Sequence, residues 1–199
     1  ILSAISNVAL VVLPGGFITA LVLRTLSGLF LGGVYPPGMK IVAGWFRSNR
    51  GVAIGVMVGA LTFGSGSPHL LRSVFVAQWE TTLYISSALA VVAGGIVYFL
   101  VKDGPYDVPA ARFNPRYIFD VVKNRCSRLV LFGYLGHMWE LYAMWAWIPA
   151  FMIVVYGSNR QVGDGLNFAS LMTFLVFAVG SIGSIFAGYL AERWGRCLV

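Results

Sequence analysis

Three charged side chains stand inside long apolar runs, where they are the residues best placed to do chemistry: Arg24, Lys40 and Glu140. A charge at the centre of a bilayer costs roughly 2.5–3.5 kcal/mol on insertion scales, so it persists where a partner or a wet cavity offsets that cost. Glu140 lies in FGYLGHMWELYAMWAWIPAF (Phe132–Phe151), with His137 one helical turn earlier on the same face and Met144 and Trp147 continuing it. Desolvation drives a carboxyl toward its neutral form and a nearby imidazolium pulls it back, so this pair suits proton exchange. A neutral His–Glu hydrogen bond that only fixes packing would use the same two residues. The aromatic run Trp139, Tyr142, Trp145 and Trp147 covers every side of the helix, so only Trp147, on the Glu140 face, joins the candidate pathway. Arg24 shares its face with Gly28, Gly32 and Tyr35. The two glycines admit close helix contact. Lys40 lies about one and a half turns from the end of its helix, close enough for its ammonium to snorkel to the interface. His69 and Arg72, beside Pro68 near the other end of a span, read as interfacial residues.

The elements that carry these residues must be membrane spans. Of 199 residues, 58% are hydrophobic and only 11% are charged. A soluble domain carries about 25% charge. That balance excludes a soluble enzyme, a disordered tail and a disulfide-stapled secreted domain. A net charge of +7 would suggest nucleic acid only if the basic residues formed a patch on a soluble fold. They sit instead in short clusters between apolar runs. Crossing a bilayer takes about 20 apolar residues, and five runs are long enough: Phe17–Trp45, Gly51–Leu71, Thr81–Val101, Leu129–Tyr156 and Leu166–Ala191. Ile1–Leu13 is apolar but short and reads as the back half of a helix, which makes the sequence a fragment. A signal peptide would need a basic start and a cleavage site, and neither is present.

The breaks between runs carry turn signals: Pro14-Gly15-Gly16, the basic FRSNRG (Phe46–Gly51) and YGSNRQVGDG (Tyr156–Gly165). With helices alternating in direction, Arg47, Arg50, Lys102, Arg112, Arg116, Lys123, Arg125, Arg128, Arg193 and Arg196 fall on one side, against Arg72 and Arg160 on the other. The positive-inside rule puts the first set in the cytoplasm. Cys126 and Cys197 then face a reducing compartment and read as free thiols. No phosphate loop, zinc-protease motif or paired CxxC occurs, so no cofactor or metal is expected. In the long loop from Lys102 to Arg128, Asn114-Pro115 is a helix start. The residues after it place Ile118, Val121 and Val122 on one face, as in a short amphipathic helix lying on the inner membrane surface.

RTLSG (Arg24–Gly28), LFLGGVYPPGMKIVAGWF (Leu29–Phe46) and Arg50-Gly51 with the glycine-rich run after it resemble the fourth and fifth helices of the major facilitator superfamily. In that family an Arg-x-x-x-Gly stretch opens the fourth helix. Trp79 in AQWETTLY follows at the start of the next. GYLAERWGR (Gly188–Arg196) is similar to the family's cytoplasmic loop motif, G-x-L-A-D-R-x-G-R, with Glu192 in the Asp position. Late in the second complete span the chain reads GSGSPHLLRS (Gly64–Ser73), so the Gly-Pro-x-x-Gly-Gly motif of many antiporters is incomplete.

The resemblance implies an all-α, polytopic transmembrane bundle, part of a twelve-helix fold of two six-helix halves. Residues 1–101 would be the end of helix three through helix six, 102–128 the cytoplasmic linker, and 129–199 helices seven and eight with the loop motif. It implies a secondary transporter in the cell membrane, moving a small solute by alternating access. Proton coupling and an organic or inorganic anion substrate are the finer expectations. Arg24, Tyr35, His137, Glu140 and Trp147 would line the substrate or proton pathway. Gly28, Gly32, Arg50, Gly51, Gly188, Glu192, Arg193, Gly195 and Arg196 would serve the conformational change. Partners would be the solute, protons and the lipid bilayer, with no nucleic acid and no need of an oligomer. A membrane receptor or scaffold of the same fold would keep the spans without the coupled charges.

Overall fold

A proline pair breaks the first long apolar run. The computed structural model describes residues 1–13, 15–75, 78–107, 114, 116–157 and 162–195. All regular elements among them are helices: α1 (Leu2–Val12), α2 (Phe17–Gly32), α3 (Tyr35–Trp45), α4 (Arg50–Phe75), α5 (Trp79–Leu100), α6 (Arg116–Lys123), α7 (Arg125–Gly157) and α8 (Val162–Trp194). The run Phe17–Trp45, expected as one span, is two helices in sequence. Pro36 and Pro37 have no N–H, so the carbonyls of Gly32 and Gly33 lose the donors a continuous helix would give them. The chain tightens instead, Val34 N donating to Leu31 O at 3.0 Å, and α3 restarts with proline in its first turn.

α4 meets the same problem at Pro68 and runs through it. The carbonyl orphaned there is Gly64 O, and the Ser67 hydroxyl donates to it at 2.7 Å. The serine before the proline thus supplies the donor that the proline lacks.

α2 with α3, α4, α5, α7 and α8 are each long and apolar enough to cross a bilayer. Their outer surfaces agree with that setting. Phe17, Tyr98 and Trp139 are each 81% exposed, among many other large apolar side chains. An apolar surface of that extent calls for lipid or further protein against it.

The chain divides into two bodies. The first joins residues up to Asp107 with α8 from Phe174 onward. In it α1 packs on α2 and α5, and α3 packs on α4. The second holds α6, α7 and the start of α8 as far as Thr173. There the Tyr156 ring meets Phe168 edge-on at 5.2 Å.

Candidate functional site

Arg24 sits midway along α2, exposed, with its guanidinium turned toward α1. Its Nη1 donates to Asn7 Oδ1 at 3.4 Å, and the buried Ser27 hydroxyl donates to the same oxygen at 3.5 Å. Asn7 therefore joins the two helices. It brings no charge, and among the described residues no carboxylate pairs with Arg24. Gly28 and Gly32 follow on α2, but a Cβ at either would meet nothing within 4 Å. The close helix contact expected there is not made by any described helix. Tyr35 opens α3 just beyond the break.

Glu140 and His137 lie on α7, in the second body, and both are exposed. Met144 is 43% and Trp147 73% exposed, so the whole face is open. The hydrogen bond expected between Glu140 and His137 is absent among the described contacts. One turn apart on an exposed helix surface, the two side chains meet no described side chain that would fix their rotamers toward each other.

In the first body α4 packs closely on the second half of α8, through glycines. A Cβ on Gly55 would stand 2.7 Å from Ser184 O, and one on Gly59 would stand 2.8 Å from Ser181 O. Only glycine lets backbones approach this far. The Ser181 hydroxyl is buried and donates to Gly59 O at 2.6 Å. At one end of the seam, Gly51 N–H donates to Glu192 Oε1 at 2.6 Å. A carboxylate placed there satisfies an open N–H of the first turn of α4 and meets the positive end of its dipole. Gly188 lies against the Gly51 carbonyl, with no room for a Cβ. Toward the other end, the His69 ring packs 6.0 Å from that of Phe177.

The remaining motif residues follow local rules. Arg50 Nε donates to Phe46 O, and Arg193 Nη1 donates to the Tyr189 hydroxyl at 3.0 Å. Gly195 has φ 93° and donates its N–H to Ala191 O at 3.1 Å, ending α8 in the left-handed conformation. Arg196 and Cys197, like Arg112 and Arg160, lie outside the described residues. Lys40, expected to snorkel to the interface, pairs with Asp107 Oδ2 at 3.3 Å. Among the described residues no three His, Cys, Asp or Glu side chains come close enough together to hold a metal.

The structure thus gathers Gly51, Gly188 and Glu192 into one contact and leaves Arg24 apart from it. Sequence reasoning missed Asn7, Asp107, Gly55, Gly59 and Ser181. The four-residue spacing of Gly51, Gly55 and Gly59 was a readable sign of a close-packing face. Nothing local marked Asn7 or Asp107 as a partner.

Compared with known proteins, residues 1–199 match the model of the Major Facilitator Superfamily. The chain is 25% identical over 177 residues to the "Uncharacterized transporter ESBP6" of Saccharomyces cerevisiae, covering 83% of this chain and 25% of that protein. It is 22% identical over 175 residues to the "MFS-type transporter pytF" of Aspergillus terreus, covering 86% of this chain and 56% of that protein. The chain therefore spans about a quarter of the first relative and somewhat over half of the second. No solved structure matches.

Proposed function

Since this chain belongs to the Major Facilitator Superfamily, a family of multi-pass membrane transporters and not of enzymes, we propose that it is the stretch from part of helix three to the loop after helix eight of a solute transporter working by alternating access. In such a protein two bundles rock about a site near the bilayer midplane. The observation that carries the finer reading is Arg24, a cation within a span whose hydrogen bond goes to the neutral Asn7. A guanidinium with no carboxylate partner among the described residues leaves room for an anion as its counter-ion, and its fork of donors suits a carboxylate or phosphate group. The substrate in this reading is a small organic or inorganic anion.

Glu140 is the coupling carboxyl. In this reading it changes charge as its side of the cavity passes between water and the occluded state, with His137 one turn away on the same helix. Tyr35 and Trp147 line the same pathway. Glu192, Gly51 and Gly188 form the latch of the conformational change, together with Gly195 and Arg196 beyond it. Residues 102–128 are the linker between the halves. The basic loops face the cytoplasm, supported by the unequal split of Lys and Arg between the two sides, and the membrane is the plasma or inner membrane.

The test is counterflow. Full-length protein is reconstituted in vesicles preloaded with one of a panel of small anions, and uptake of the labelled anion is followed. Transient accumulation of one of them supports the reading. Folded protein that exchanges no small solute would point to a receptor or scaffold.

A further inference from the structure

The segment after α5 does not leave the helix end freely. Residues Val101–Asp107 turn across the C-terminal end of α3 and are held there by contacts of three kinds. Trp45 Nε1 donates to Lys102 O at 2.8 Å. Tyr106 N–H donates to Gly44 O at 2.9 Å, filling one of the carbonyls that a helix leaves open at its C-terminus. Lys40 Nζ stands 3.3 Å from Asp107 Oδ2, with the two side chains 48% and 24% exposed. The fit is close. A Cβ on Gly44 would lie 3.5 Å from the Asp107 Cα, and one on Gly104 would collide with the Gly44 backbone. Asp107 N–H closes the turn on Gly104 O at 3.1 Å.

A partly exposed ion pair by itself holds little. Here the ion pair acts with the backbone and indole bonds, and the three together hold the segment. The contact lies on α3, which is joined to α2 only through the break at Gly33 and Val34. Arg24 is on α2.

We propose that Val101–Asp107 is a clasp that moves the anchor of the linker from the end of α5 to α3. Tension in the linker during the transport cycle is then delivered to the broken span that carries Arg24. The α2–α3 break is where such a pull is absorbed, because the hydrogen-bond ladder is already interrupted there. This inference rests on the transport reading above. Asp107 and Trp45 act in it as positioning residues and do not touch the solute.

The test uses the full-length transporter with Cys126 and Cys197 replaced by serine and spin labels on cysteines at Phe46 and Tyr106, both exposed. The clasp predicts a narrow label-to-label distance distribution in the parent. Asp107→Asn is expected to broaden it and to lower net flux about two- to fivefold, the range one such ion pair converts to, with substrate Kd unchanged. The reversed pair, Lys40→Asp with Asp107→Lys, is expected to restore both. An unchanged distribution in Asp107→Asn overturns the clasp, and so does a broadened distribution with full flux. A parent that keeps the narrow distribution but exchanges no solute in the counterflow assay fails the transport reading instead, and the mechanical role falls with it.

Discussion

A single methyl group added at Gly55 tests the α4–α8 seam. The new Cβ of Gly55→Ala would lie 2.7 Å from Ser184 O, 3.3 Å from Ile185 Cα and 3.4 Å from Gly188 Cα. These are backbone atoms on a helix, so no side-chain rotation relieves the contact, and the helices must move apart. Forcing an extra methylene-sized group into a packed contact costs about 1–3 kcal/mol, a shift of about 5- to 150-fold in the population of the closed seam. The bonds from Ser181 to Gly59 and from Gly51 to Glu192, each 2.6 Å, stretch with it. Thr62 and Gly180 supply the reporter, since a Cβ on Gly180 lies 3.7 Å from Thr62 Cγ2, ordinary contact. Cysteines at these two positions, in a background without Cys126 and Cys197, are expected to form a disulfide readily in the parent and at least about fivefold more slowly in Gly55→Ala. Gly64→Ala is the control on the same helix, because its Cβ meets nothing within 4 Å. An unchanged rate in Gly55→Ala, or an equal fall in both variants, refutes the reasoning.

Glu192→Ala removes the acceptor from Gly51 N–H at the start of α4; the contact is exposed, so the loss is about 1 kcal/mol, read as slower net flux, with Glu192→Gln retaining part of the rate. Equal rates in all three proteins would deny the latch. Gly195→Leu forces a branched side chain to φ 93°, at a cost of about 1–2 kcal/mol; turnover is expected to fall while equilibrium substrate affinity stays near normal, and a large affinity loss with normal turnover counts against a conformational role. Ser67→Ala leaves Gly64 O without its donor and is expected to lower the thermal midpoint in detergent by the equivalent of about 1 kcal/mol, whereas Ser67→Thr keeps it. An unchanged midpoint in Ser67→Ala means that Gly64 O has another donor.

The spans were legible because length and apolarity alone set them, and the helices run where Phe17–Trp45 and its four successors indicated. The break inside the first of these was encoded in Pro36-Pro37. Hydropathy does not register it, whereas counting N–H donors does. Ser67 was visible as a departure from the antiporter motif, and its role emerges only when the orphaned carbonyl of Gly64 is counted. The loop motif marked Gly188 and Glu192 as residues of the conformational change. That they meet α4, through Gly51, Gly55 and Gly59, is a long-range choice that no local pattern states. Lys40 read as a snorkelling residue because its partner, Asp107, lies past two further helices in the chain. For Glu140 and His137 the helical spacing was right, but spacing puts two side chains on one face without bonding them.

The proposed coupling at Glu140 is where transport and its driving force would meet. Glu140→Gln keeps the shape and the hydrogen-bonding capacity of the side chain but removes its ability to change charge. Full-length protein reconstituted in vesicles is given a pH gradient, and accumulation of the anion found by counterflow is compared with its exchange at equal pH. The Gln variant is expected to lose uphill accumulation and to retain exchange. A Gln variant that still concentrates its substrate at the expense of the pH gradient would contradict the assignment and place coupling at another residue.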